Sequence, residues 1–183
     1  QGFIMSVLQQ AIQERRKALG LPDQIDADRF PNLIALFDDI IKRHPNRPVF
    51  SCLGHTLTYS DLDKHANAFA AYLQNHTDLK PGDRIAIQLP NILQYPVVGI
   101  GALRAGLIVV NTNPLYTERE LEHQLNDSGA KALVVLANVA TTASKVIAKT
   151  QVKHVIVTEL ADLHPVPKRQ LVNFVVKYIK KMV

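Results

Sequence analysis

Leu103-Arg104-Ala105-Gly106-Leu107-Ile108-Val109-Val110-Asn111-Thr112-Asn113-Pro114-Leu115-Tyr116-Thr117-Glu118 reads, from left to right, as the end of a helix, a buried strand and a loop into the next helix. Gly106 stands where a helix needs a left-handed C-terminal residue, a conformation in which a Cβ is penalised. Leu107 to Val110 is a short apolar run rich in β-branching, typical of a parallel strand covered on both faces. Asn111 to Pro114 stops the strand, and Thr117 with Glu120 has the spacing of a capping box.

Similar units flank this one. Pro81-Gly82 fits the centre of a type II turn. Beyond it the pattern predicts strands at 84–89, 107–110, 132–136 and 154–158, alternating with helices at 92–105, 117–128 and 138–150. That alternation argues for a largely parallel sheet with helices on both faces and right-handed crossovers. Upstream, 49–53 and 56–59 read as a small hairpin joined through Gly54-His55. It lies between a helix capped by Asn32 and stopped before Pro45 and a helix started by Ser60 and Asp63, with Leu62, Ala66, Phe69, Ala70 and Leu73 toward the core. Ser6 and Gln9 suggest the start of a peripheral N-terminal helix that Gly20 and Pro22 end, and Gln1-Gly2 reads as a cloning remnant. The expected organisation is a helix and linker over 1–28, an α/β body over 29–163 and a basic amphipathic segment over 164–183 that stops without a cap.

That last segment has the cleanest helical periodicity. At about 100° per residue, Leu171, Phe174, Val175, Tyr178, Ile179 and Met182 share a stripe widened by Val172 and Val176, opposite Asn173, Lys177, Lys180 and Lys181. An apolar stripe opposite lysines suits either a helix covering a sheet or one lying on an anionic membrane, with Lys177, Lys180 and Lys181 as candidate contacts.

The chain has 183 residues, a net charge of +5 and one cysteine, Cys52, which excludes an intrachain disulfide and fits a small buried hydrophobe in a strand. No apolar run has the length of a bilayer span, and no signal-peptide pattern opens the chain. Basic residues cluster after Asp162, but no nucleic-acid recognition pattern accompanies them, so nucleic acid is not an expected partner. The seven histidines lack metal-ligand spacing. Gly99, Gly101 and Gly106 do not make a dinucleotide loop, because Arg104 stands at the third glycine position and the first two fall inside a helix; close helix packing is the expected reason for them. No serine has the Gly-x-Ser-x-Gly setting of a hydrolase nucleophile. Asn111 to Tyr116 ends a parallel strand, where open α/β sheets bind ligands; the alternative is that Asn113 and Pro114 merely fix the turn above Tyr116.

The opening stretch also resembles the second core motif of the adenylate-forming enzymes (acyl-CoA synthetases, luciferases, peptide-synthetase adenylation domains), usually Leu-Lys-Ala-Gly-x-x-hydrophobic-Val-Pro-hydrophobic-Asp-Pro. Leu103, Ala105, Gly106 and Pro114 match it, Arg104 replaces lysine, and Asn111 and Asn113 stand for proline and aspartate. Leu57-Thr58-Tyr59-Ser60-Asp61-Leu62 is similar to the first core motif, with aspartate for glutamate. Within the superfamily, Asn111 to Thr117 resembles most the bacterial long-chain fatty-acid–CoA ligases, with further echoes at Leu79 to Arg84, Leu89-Pro90-Asn91 and Gln94-Tyr95-Pro96.

The resemblance implies the first part of the N-terminal domain of such a ligase. The whole enzyme would activate a long-chain fatty acid with ATP and Mg through an acyl-adenylate and pass the acyl group to coenzyme A. It would work in the cytoplasm, with peripheral contact at the inner face of the cell membrane and a homodimer as further expectations. The family binds ATP with a Ser/Thr/Gly-rich loop and uses a lysine of a mobile C-terminal domain. Thr141-Thr142-Ala143-Ser144 has no glycine and falls in a predicted helix, so no catalytic, cofactor-binding or metal-binding residue is expected here, and the chain alone is expected to be inactive and to bind none of these cofactors. The alternatives are another adenylating ligase, or a stand-alone α/β binding module with a membrane-facing basic helix.

Overall fold

The computed structural model describes residues 2–22, 26 and 28–180. It divides into two units, Gln1–Leu36 and Phe37–Val183. In the first, α1 (Gly2–Ala18) closes with Gly20 in the left-handed conformation, Gly20 N–H donating to the Lys17 carbonyl and Leu21 N–H to the Arg16 carbonyl. Because α1 already begins at Gly2, Ser6 lies inside the helix and is not its cap. Asn32 does cap α2 (Leu33–Arg43), accepting from Ala35 N–H at 2.9 Å.

The second unit is built on a four-stranded parallel sheet. A hairpin of β1 (Pro48–Cys52) and β2 (His55–Thr58) precedes it, turning at Leu53 and Gly54, both at positive φ, one residue earlier than expected. Then come α3 (Tyr59–His76), β3 (Arg84–Gln88), α4 (Gln94–Arg104), β4 (Ile108–Asn111), α5 (Glu118–Ser128), β5 (Ala132–Leu136), α6 (Ala140–Val146), β6 (His154–Thr158) and α7 (Lys168–Phe174). The sheet order is β4-β3-β5-β6.

Two apolar layers cover the sheet. Ile85, Ile87, Ala132 and Val134 face Ala70 and Leu73 of α3 and Val98 and Ala102 of α4. Ala86, Leu133 and Val135 face Leu121 and Leu125 of α5 and Ala143 and Val146 of α6. β5 is buried along its whole length, which is why it reads as a continuous apolar run rather than an alternating one. On β6, Val155 and Val157 pair in register with Leu133 and Val135, yet they stay exposed.

Helix ends follow local chemistry. Thr58 caps α3 in a capping box with Asp61, and Thr117 caps α5 with Glu120. Hydrogen bonds from Thr58 and Thr117 hold both carboxyls below the usual carboxylate range. The expected cap of α3, Ser60 with Asp63, has the same spacing but lies inside the helix; Thr58 is the last extended residue, and Ser60 N–H is already bound to the Pro45 carbonyl.

The expected helix 138–150 is instead α6 between 3₁₀ turns at Ala137–Val139 and Ile147–Lys149. β-Branched Val139, Thr141, Thr142, Val146 and Ile147 weaken regular helix there. α7 likewise starts at Lys168 and passes into a wider π-turn over Val175–Ile179; Lys181, Met182 and Val183 lie outside the described residues.

Candidate functional site

In the sheet order β4-β3-β5-β6, β3 leads into α4 on one face and β5 leads into α6 on the other. Their carboxyl ends therefore diverge, and such a divergence is where open α/β sheets form a ligand crevice. Leu89-Pro90-Asn91 leaves β3 at this point, and the loop from Asn111 leaves β4 beside it.

Side chains from three elements converge on that second loop. Tyr95 of α4 donates its hydroxyl to Asn111 Oδ1 at 2.7 Å, and Gln124 of α5 donates Nε2 to the Asn111 carbonyl at 2.9 Å. Gln88, fully buried at the end of β3, reaches the Asn113 carbonyl at 3.4 Å. Asn113 Oδ1 accepts from Leu115 N–H at 2.9 Å, an Asx turn that reverses the chain before α5. Thr112 is buried and Tyr116 packs against the α5–α6 layer. The loop is thus fixed both by its own turn chemistry and by amides from outside it.

The two core motifs meet through the helices that follow and precede them. Leu57 and Leu62 are buried, Thr58 is the N-cap and Tyr59 opens α3, half-buried. Leu103 is half-buried and Ala105 buried at the end of α4; Asn113 is exposed and Pro114 half-buried. Arg104 joins the two motifs. It pairs with Asp63 Oδ1 at 2.7 Å, donates to Asn67 Oδ1 at 2.8 Å, both on α3, and reaches Asp38 Oδ1 at 2.7 Å. With its side chain 12% exposed, three good acceptors compensate its desolvation. Gly106 has φ +79°, with Leu107 N–H donating to the Ala102 carbonyl and Gly106 N–H to the Leu103 carbonyl, a Schellman closure of α4. Its carbonyl accepts from Gly82 N–H at 2.8 Å, which ties the 80–83 turn to the start of β4.

The opposite, amino edge of the sheet carries a lysine–aspartate ion pair and a histidine–aspartate contact instead. Lys131 Nζ lies 2.6 Å from Asp83 Oδ1, and His154 Nε2 lies 2.6 Å from Asp78 Oδ1. The Lys131 contact holds the Asp83 carboxyl below its usual range, as His154 does for Asp78. These pairs brace strand starts.

ATP and Mg can be tested against the donor set at the carboxyl edge. Gln88 Oε1 and Gln124 Oε1 are buried there without a donor among the described residues, and the amide nitrogens of both are spent on the loop itself. Thr141, Thr142 and Ser144 sit within α6, and no cluster of His, Cys, Asp and Glu suited to a metal occurs among the described residues. Among the described residues, the carboxyl edge by itself offers neither a glycine-rich phosphate loop nor a metal-ligating cluster. A cleft of about 390 Å³ between β1 and the 91–96 segment, lined by Phe50, Cys52, Ile92, Leu93 and Tyr95, is mainly apolar.

Residues 37–182 match the family of AMP-binding enzymes. The chain belongs to that family. It is 51% identical over 169 residues to the long-chain-fatty-acid–CoA ligase of Yersinia pestis, covering 92% of this chain and 30% of that protein. It is 52% identical over 163 residues to the corresponding ligase of Escherichia coli O157:H7, covering 89% of this chain and 29% of that protein. Its fold matches a benzoate CoA ligase from Burkholderia xenovorans with a TM-score of 0.65 at 23% identity, over 69% of this chain and 26% of that one. The chain thus spans about 30% of the length of the curated relatives it matches.

The family resemblance marks Leu57 to Leu62 and Leu103 to Pro114 in the sequence, but the structure adds Gln88, Tyr95 and Gln124 as the side chains that hold the loop. Tyr95 lies in one of the family echoes, and Gln88 had a signal of its own, a glutamine following the apolar Ile85-Ala86-Ile87 run.

Proposed function

We propose that this chain is the N-terminal portion of a ligase that activates long-chain fatty acids with ATP and Mg through an acyl-adenylate and transfers the acyl group to coenzyme A. The observation that carries this reading is the identity of about half of all positions with fatty-acid–CoA ligases over nearly the whole chain. Within it, the chain supplies scaffold: Arg104 and Gly101 lock α3 to α4, and the Asn111–Thr117 loop is held rigidly at the carboxyl edge. Chemistry comes from elsewhere in the enzyme. A direct trial exchanges the matching region of the Escherichia coli relative for this chain. Fatty-acid- and coenzyme-A-dependent consumption of ATP should persist in the chimera, and a folded chimera without it would sink the assignment.

A second reading concerns α7. No helix among the described residues is long and apolar enough to cross a membrane. Yet Leu171, Phe174, Tyr178 and Ile179 are all more than half exposed, while Val172, Asn173, Val175 and Val176 are half-buried. Lys177 and Lys180 flank that outward face, with Lys177 Nζ 5.7 Å from the Tyr178 ring centre. Apolar and aromatic groups edged by lysine suit the headgroup boundary of an anionic bilayer. Each lysine there contributes about 1 kcal/mol, so changing Lys177, Lys180 and Lys181 to glutamine should weaken binding to anionic liposomes by up to roughly a hundredfold at low salt. Equal co-sedimentation of wild type and variant would assign the face to packing within the enzyme.

A further inference from the structure

Between β6 and α7 the chain is tied at both ends. On the β6 side, Asp162 Oδ2 accepts from Thr158 Oγ1 at 2.9 Å and from Glu159 N–H at 2.8 Å. Asn173 of α7 donates Nδ2 to Asp162 Oδ1 at 3.0 Å and accepts from Ala161 N–H at 2.9 Å. The loop and α7 therefore form one body. That body is anchored to the β1–β2 turn by two side chains. His164, 5% exposed, places Nε2 3.2 Å from the Cys52 carbonyl, and Lys168 donates to the carbonyl of Leu53.

A carbonyl can only accept, so Nε2 carries a proton, and in the neutral ring Nδ1 is then the bare nitrogen. Nδ1 is buried with no partner among the described residues. A neutral ring leaves there only an unused acceptor. A protonated ring would bury a charge that only the Cys52 and Leu53 carbonyls offset, a larger cost. The groups around it add to that cost. From β2, His55 lies with its ring centre 5.3 Å away, and from α7, Lys168 is a cation. Asp61 of α3 faces His55 and His65, but its carboxylate is taken by Thr58.

We infer that His164 is an acid-sensitive latch: neutral, it fixes the start of α7 to the β1–β2 turn, and protonated, it releases the 159–174 body together with the exposed apolar face of α7. This holds whatever that face meets, membrane or protein. Burial keeps His164 below its ordinary value of 6.5, His55 and Lys168 add to the lowering, and the Cys52 and Leu53 carbonyls oppose it. A released His164 returns to the ordinary value and so binds a proton more readily than the latched one. The latched state is thus fully favoured above pH 6.5 and loses ground as pH falls from there toward the depressed value.

Amide hydrogen exchange on the whole chain, corrected for the intrinsic pH dependence of exchange, reads the latch directly. From about pH 8 to about pH 5, protection of peptides over 159–174 should fall, by at most about tenfold per pH unit, while peptides from β3 and β5 hold theirs. An NMR titration of the His164 ring should give a midpoint below 6.5, at the acid end of that fall. His164→Gln, whose amide can donate to the Cys52 carbonyl but takes up no proton, should make protection of 159–174 independent of pH. Unchanged protection in the wild type, a ring midpoint at or above 6.5, or a glutamine variant that loosens with acid as the wild type does would each overturn the latch. If the variant fails to fold, the two wild-type measurements decide by themselves.

Discussion

Gly101→Ala should lower the stability of this chain by about 1–2 kcal/mol, whereas Gly99→Ala on the same helix should raise it by about 0.5–1 kcal/mol. Both glycines lie inside α4, where alanine is intrinsically the better helix former. At Gly99 a Cβ meets nothing within 4 Å, so only the propensity gain remains. At Gly101 a Cβ would sit 2.7 Å from the Ala66 carbonyl oxygen and 3.0 Å from Phe69 Cδ1, both on α3. Backbone cannot step aside as a flexible side chain can, so α3 and α4 must part. That separation would also stretch the Arg104 pairs to Asp63 and Asn67. Urea midpoints at unchanged slope measure both substitutions, and matching signs for the two would remove close helix packing as the reason for Gly101.

Gly106→Ala should cost about 2 kcal/mol or more, through two separable effects. The left-handed conformation penalises any Cβ by about 1–2 kcal/mol. Here the Cβ also meets Pro81 Cβ at 3.0 Å and Pro81 Cα at 3.3 Å, in the turn that Gly106 itself holds by accepting from Gly82 N–H. Gly129, at φ +64°, supplies the control: it closes α5 with the same kind of hydrogen bonds, but a Cβ there meets nothing within 4 Å. Gly129→Ala should therefore carry the backbone cost alone. The difference between the two variants isolates the Pro81 contact, and equal losses would show that the contact relaxes freely.

Gly106 also shows what was legible beforehand. A glycine between a helix pattern and a β-branched run, with Pro81-Gly82 upstream, carries its own local signature, and both the closure and the turn are found in place. β5 and β6 were equally plain, since their apolar runs are bounded on both sides by polar residues. The start of α3 was misplaced by two residues: Ser60 with Asp63 was the expected cap, Thr58 with Asp61 has the same spacing, and the end of the strand pairing of β2 selects the latter.

The site was less legible because its contacts are distant in sequence. Arg104 read as a departure from the family lysine, and its role depends on Asp38, 66 residues away. Gln88 acts on Asn113, 25 residues on, and nothing within either segment announces the other. The outward face of α7 had two readings from periodicity alone. Its exposure, with Asn173 rather than an apolar group tied to the core side, was decided by the loop before it.

The central claim is that this chain is scaffold, with the chemistry of adenylation supplied by other parts of the enzyme. The most direct measurement is fatty-acid-dependent exchange of pyrophosphate into ATP by the purified chain, beside the chimera with the Escherichia coli relative. The account predicts exchange at the level of a heat-killed control for the chain alone and clear exchange for the chimera. Exchange by the chain alone above that control would contradict it.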